Sequence, residues 1–420
     1  MGSALRDQYP VDPETVWSPF KLLIQSYERI TPHPSDTRYE LKEPARVVAD
    51  QVFELIYSEF IEELRHNLTP KADEPVPVFP FAYDWRQPLE NVEALLADFI
   101  DEVIDRTKPL RHYYAEGFGT KRFPGKVNLA GHSMGGLIIA GFIQKNGQSK
   151  VNKVATLGTP FRGSLEAVAK TSIGVAALGS SPGSSREREA ARVTPGLYYL
   201  LPSFKGAVEA EAGLSSDLFT TAAWQPGVLA TLAEFIRMYA VEQRHPQQQA
   251  LKLLKSLLDS AWRYRTRLEN VQLANSKDWL SIIGVNAKTR VRMRITQDDD
   301  GAPRFDLGEG DVRDDWKEAE PKTRIFTGDN TVPYLGARAK FVPTEQVVCV
   351  TPGDFSFWEF KDRLLENVGL HSSLPNMNLV QRLVVSHFKN QEYGEIWGRP
   401  APDLPPKTAW DPPILRLKMR

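Results

Sequence analysis

The stretch KVNLAGHSMGGLIIAG, Lys126 to Gly141, constrains this chain more than any other. Val127, Leu129 and Ala130 read as the end of a buried strand, and Leu137, Ile138, Ile139 and Phe142 as one side of a helix that follows at once. Between them lies only Gly131-His132-Ser133-Met134-Gly135-Gly136. A strand-to-helix turn this sharp brings its flanking residues so close that glycine is expected on both sides of the central residue. That residue is then strained, with its hydroxyl exposed above the sheet. Ser133 is therefore a candidate nucleophile on mechanical grounds. A phosphate-binding or plain glycine turn is the alternative that the pattern alone leaves open.

The surrounding sequence is that of an α/β protein. Short apolar runs at 76–85, 126–130, 153–158, 279–285 and 345–350 alternate with longer amphipathic ones, such as Leu89, Val92, Leu96, Phe99 and Val103. This predicts a mainly parallel sheet covered by helices. The 420 residues suit one large domain with insertions or two to three smaller ones, and 41% hydrophobic content is ample for a core. No apolar run reaches the ~18 residues of a membrane span. Lys and Arg number 52 against 53 Asp and Glu, so the charge balance favours neither nucleic acid nor an anionic membrane as partner. The single cysteine, Cys349, excludes an intrachain disulfide, reads as a core thiol and permits a reducing compartment. With no signal peptide visible at the front, the expected location is cytoplasmic.

The alternation stops after about residue 170. Residues 179–192, GSSPGSSREREAAR, suggest a mobile connector, and two helical stripes follow: Leu229, Leu232, Ile236 and Tyr239, then Leu251, Leu254, Leu258 and Trp262. An insertion of about a hundred residues between sheet strands is too long for a loop, so 175–277 is expected to be a helical cap or lid. A separate helical domain with no part in catalysis is the alternative. The hydrolase core then comprises 1–174 and 278–398, and 399–420 is a proline-rich tail expected to run extended over the surface. The acidic run 297–311 does not fit a calcium loop: with Gly301 at the obligatory glycine position, the end ligands would be Thr296 and Leu307. It reads as a hairpin turn, and neither metal nor cofactor is expected.

A serine hydroxyl needs a base to take its proton and a carboxylate to orient that base. In α/β-hydrolases they follow in chain order Ser, Asp or Glu, His, each at the C-terminal end of a strand. Of seven histidines, only His371 and His387 lie far enough downstream. His387 sits in the helical run LVQRLVVSHF, which suits a structural or surface role; His371 follows the strand of Cys349 and precedes a helix start, so His371 is preferred. For the acid, Asp329 in TGDNTVP lies between two strands and is flanked by turn-forming Gly328 and Asn330. The competing aspartates at 298–300 and 314–315 stand in strongly polar surroundings, where a solvated carboxylate would orient an imidazole weakly.

AYDWR at 82–86, GHSMGG at 131–136, LGTPFRGS at 157–164, TPGLYYLLPS at 194–203, GDNTVP at 328–333 and His371 with its following helix together resemble the lecithin:cholesterol acyltransferase family of α/β-hydrolases. The six matches come in the family's order over most of the chain and are weakest between about 204 and 278. The resemblance implies an α/β-hydrolase fold with Ser133, Asp329 and His371 as nucleophile, acid and base. It also implies that the N–H of Met134 is one oxyanion-hole donor. The family carries a motif P-G-x-[LM]-G-[SN]-x-L after a central strand; Met1-Gly2-Ser3-Ala4-Leu5 matches its second half, so the other donor is expected just upstream of Met1 in a longer chain. An expression-tag remnant or an ordinary start is the alternative.

The expected reaction is ester hydrolysis or acyl transfer on lipid-type acyl esters through an acyl-enzyme on Ser133. A peptidase or amidase using the same triad and a non-catalytic hydrolase-fold binding module are the alternatives. Leu197, Tyr198, Tyr199, Leu200 and Leu201 form a dense apolar cluster that reads equally as a wall for an acyl chain or as cap core.

Overall fold

A computed structural model describes residues 3–7, 15–17, 27–41, 47–114, 123–173, 185–308, 312–313, 324–355 and 369–420. Its centre is a sheet of four parallel strands: β1 (Val127–His132), β2 (Val151–Leu157), β3 (Trp279–Gly284) and β4 (Val347–Val350), in the spatial order β4-β3-β2-β1. Register pairs Ala130 with Ala155, Thr156 with Ser281, and Ile283 with Cys349. Parallel neighbours need crossover connections, and these bring helices onto both faces.

The period-2 alternation of side chains sorts the core into two layers. Val154, Trp279, Ile283, Val347 and Cys349 face one layer; Ala155, Leu157, Leu280, Ile282, Val348 and Val350 face the other. The second layer is closed by α1 (Glu54–Leu68), through Phe60 and Leu64. The first is closed by α2 (Leu89–Thr107), through Leu89, Val92, Leu96 and Ile100, and by α3 (Met134–Asn146), through Leu137, Ile138 and Phe142. Between β2 and β3 come α4 (Leu165–Ile173), α5 (Ser185–Arg192), α6 (Pro195–Tyr198), α7 (Pro226–Tyr239) and α8 (Pro246–Leu268). After β4 follow α9 (Gly369–Ser373) and α10 (Asn378–Lys389), the latter adding Leu379, Leu383 and Val384 to the second layer. This is the expected α/β-hydrolase architecture with a large helical insertion.

Several local expectations are corrected. Residues 76–84 form no strand. Pro77 and Pro80 remove two ladder donors from this segment, which disfavours its pairing. Of the expected connector, 185–192 is helical, while 179–184 lie outside the described residues. Helix α8 buries Ala250, Leu254, Leu257, Leu258, Ala261 and Leu268 but leaves Leu251 45% and Trp262 49% exposed, so its core face is rotated from the expected stripe. The tail does more than run over the surface: Arg399 exchanges both backbone hydrogen bonds with Cys349 (2.8 and 3.1 Å), covering the outer edge of β4. The acidic run does start as a hairpin, Met293–Gln297 pairing antiparallel with Pro303–Asp306. Cys349 is buried in the core, and burial pushes its thiol up to about 12.

Candidate active site

Ser133 joins β1 to α3 with φ 53° and ψ −126°, a conformation non-glycine residues rarely hold. Its N–H donates to the carbonyl of Leu157 (2.9 Å), which ties the turn to the end of β2. A Cβ on Gly131 would lie 2.8 Å from the nitrogen of Gly136 and 2.7 Å from Ile139 Cδ1, so the first glycine is required as expected. The second expectation shifts by one residue. A Cβ on Gly135 would meet nothing within 4 Å, whereas one on Gly136 would lie 2.0 Å from Thr159 Oγ1. The crowding comes from the loop after β2, which the serine motif itself does not contain.

The other two predicted residues come to the same end of the sheet. His371, on α9 rather than on a loop, places Nε2 2.9 Å from Ser133 Oγ and Nδ1 2.8 Å from Asp329 Oδ2. Both His371 and Asp329 are 1% exposed. Asp329 Oδ1 accepts the N–H groups of Thr331 (3.1 Å) and Val332 (2.7 Å), and its carbonyl accepts the N–H of His371 (2.8 Å). Asn330, at φ 78°, accepts the N–H of Leu370 on its Oδ1 (2.8 Å), binding the acid loop to α9.

Room for this pair comes from two glycines, Gly158 within the LGTPFRGS match and Gly284, which belongs to no match. A Cβ on Gly158, after β2, would lie 2.9 Å from Asp329 Oδ2 and 3.0 Å from His371 Nδ1. One on Gly284, ending β3, would lie 2.5 Å from Asp329 Cβ. Two further side chains went unnoticed in the sequence. His132 places Nε2 2.9 Å from the carbonyl of His371 and Nδ1 2.8 Å from the hydroxyl of Tyr57 on α1. Burial, reinforced by the neighbouring His371, holds the His132 imidazole well below the usual histidine range.

Met134 is the first residue of α3, where helix N–H groups lack an intrahelical acceptor and favour negative charge. The expectation for Met1 and the donor upstream of it lies outside the described residues. Along β1, a cavity of about 460 Å³ is walled by Tyr57, Phe60, Leu64, Phe81, Phe99, Ile100 and Phe123, with His132 and Gly135 at its lining.

Of the apolar cluster, Leu197, Tyr198, Tyr199 and Leu201 are buried in the core and Leu200 is partly buried. The hydroxyl of Tyr198 donates to the carbonyl of Arg192 (2.7 Å) and that of Tyr199 to Glu90 (2.6 Å). Arg265 on α8 is 3% exposed and donates to the carbonyls of Pro160 (3.2 Å), Phe161, Tyr199 (2.5 Å) and Leu201 (3.1 Å), fastening α8 to the loop after β2 and to the cluster. His387 has a structural role: fully buried, it places Nε2 3.1 Å from the carbonyl of Val154 and Nδ1 3.0 Å from that of Pro413, and the neutral ring donates its single N–H to one of them. Among the described residues no helix is long and apolar enough to cross a membrane.

Residues 54–278 match the model of the family described as Lecithin:cholesterol acyltransferase. The chain is also similar in fold to a solved structure, that of the Tle4-Tli4 complex. The match has a TM-score of 0.57 and 15% identity, over 81% of this chain and 87% of that one. No curated protein matches the sequence.

Proposed function

The chain belongs to the lecithin:cholesterol acyltransferase family, and from that premise we propose that it is a serine-dependent ester hydrolase or acyltransferase acting on lipid-type acyl esters. The observation that carries the reading is the unbroken hydrogen-bond chain Ser133 Oγ, His371 Nε2, His371 Nδ1, Asp329 Oδ2.

In this reading Ser133 Oγ attacks the ester carbonyl while His371 Nε2 takes its proton. Asp329 holds the proton on Nδ1, so that Nε2 is free to accept, and stabilises the imidazolium that forms. The N–H of Met134, at the start of α3, faces the developing oxyanion; one such donor is worth about 3 kcal/mol in the transition state. His371 then returns the proton to the leaving alcohol, leaving an acyl group on Ser133. Water, or a second alcohol, is deprotonated by the same imidazole and releases it. Hydrolysis and transfer share every protein group and differ only in which acceptor reaches the acyl-enzyme.

The test is stoichiometric labelling with a fluorophosphonate, mapped by peptide mass, together with turnover of p-nitrophenyl esters of graded chain length and of a matched anilide. Labelling at Ser133 that disappears in Ser133→Ala, with esters turned over faster than the anilide, is expected. A folded chain that takes no label, or that cleaves the anilide as fast as its ester, would overturn the proposal. Adding an acceptor alcohol to the ester assay and measuring the new ester against free acid separates transfer from hydrolysis.

A further inference from the structure

We propose that His132 is a positioning residue which, held by Tyr57, tethers the backbone of His371 to the nucleophile's own strand and so keeps the base aligned on Ser133. The inference rests on the reading of Ser133 and His371 as nucleophile and base.

The hydrogen-bond inventory decides the protonation of the second imidazole. The carbonyl of His371 can only accept, so His132 Nε2, 2.9 Å away, must carry a proton. In a neutral imidazole Nδ1 is then an acceptor, and the Tyr57 hydroxyl 2.8 Å from it is the donor. The neutral form is the favoured one here, because burial and the adjacent His371 both disfavour a charge on His132. The two rings lie 4.8 Å apart, too close for both to be charged at little cost. His132 therefore does not compete as a base for Ser133, although it is the adjacent residue: its Nε2 is protonated and committed to a carbonyl.

The mechanical effect follows from where the restraints originate. The N–H and the Nδ1 of His371 are both held by Asp329, at 2.8 Å each. Two restraints to one residue leave a pivot about it. The bond from His132 comes from a different element, the last residue of β1, and acts on the third polar group of the same residue. It couples the base to the strand that carries the nucleophile, with Tyr57 on α1 fixing the orientation of the coupling ring. A misplacement of about 1 Å between reacting groups can cost about 100-fold in rate.

The experiment compares His132→Leu, His132→Gln and Tyr57→Phe with the parent chain in ester hydrolysis, with melting followed for each. His132→Leu is expected to lower kcat about 10- to 100-fold with KM nearly unchanged. His132→Gln, whose amide N–H can reach the same carbonyl, should recover most of that loss; Tyr57→Phe should cost less than His132→Leu. A folded His132→Leu chain with kcat within about twofold of the parent, or no recovery with glutamine, overturns the tether. If the leucine variant does not fold, the imidazole ¹⁵N spectrum of the histidine-labelled parent chain decides. A proton on His132 Nε2 that loses its fixed position in Tyr57→Phe supports the tether; a proton on Nδ1 refutes it. A parent chain that turns over no ester rejects the hydrolase reading itself, an outcome distinct from an active parent indifferent to His132.

Discussion

Replacing Asp329 with asparagine changes the side chain by one heavy atom, and the loop geometry dictates how the new amide must lie. Oδ1 accepts two backbone N–H groups, from Thr331 and Val332, while Oδ2 faces His371 Nδ1. If the amide oxygen took the Oδ2 position, its NH₂ would point at two N–H donors, losing two buried hydrogen bonds at about 1–3 kcal/mol each. The oxygen therefore stays at Oδ1 and the NH₂ faces His371. Nδ1 must then accept, the imidazole proton moves to Nε2, and the lone pair that should receive the Ser133 proton is gone. Such a tautomer switch is worth about 10⁴-fold in rate, or about 5 kcal/mol in activation free energy. The stability cost stays within about 1 kcal/mol, because the bonds to Thr331 and Val332 survive. Ester hydrolysis kinetics with parallel thermal melting tests both halves. An Asp329→Asn chain that keeps more than about a tenth of the parent kcat/KM with an unchanged melt would show that Asp329 does not set the tautomer of His371.

Arg265→Leu removes the donor shared by four carbonyls, of which, among the described residues, only that of Pro160 has another partner, the N–H of Gly163; urea denaturation should show a loss of about 3–5 kcal/mol, and a loss under about 1 kcal/mol would refute the clamp. Gly136→Ala forces a methyl against Thr159 and is expected to cost about 1–3 kcal/mol and to lower the rate of Ser133 labelling, while Gly135→Ala leaves labelling within about twofold; equal effects at the two positions would contradict the geometry. Burial lowers the His387 pKa to about 4 from the ordinary histidine value of 6.5, so below 6.5 the unfolded chain binds a proton that the folded chain does not. Stability is then fully present above pH 6.5 and falls by about 3 kcal/mol on going down to pH 4, and His387→Gln should flatten that decline in urea titrations across the interval.

Elements whose signal is local can be read from the chain alone. The run Val127 to Phe142 specifies a strand, a forced turn and a helix, because a hydrophobic period of two passes to a helical one across a few small residues, and Ser133 adopts the strained dihedrals that such a turn imposes. Asp329 and His371 were legible too, because chain order limited the choice and both follow strands of the sheet, although His371 lies on α9 and not on the expected loop. Properties that belong to pairs of residues rather than to one segment arise only once the chain is packed. Gly136 is crowded and Gly135 free only because Thr159 arrives from the loop after β2; Gly158 and Gly284 have their meaning only because Asp329 and His371 lie against them. Helix α8 turns its face to seat Arg265 on four carbonyls, which an apolar stripe cannot foretell because this buried residue of its last turn is charged. The contact between His132 and His371 spans 239 positions of sequence. A hydrogen bond across that separation leaves no periodicity to read: its partners are brought together by the parallel packing of strands, and its donor is chosen by the atoms that happen to face it.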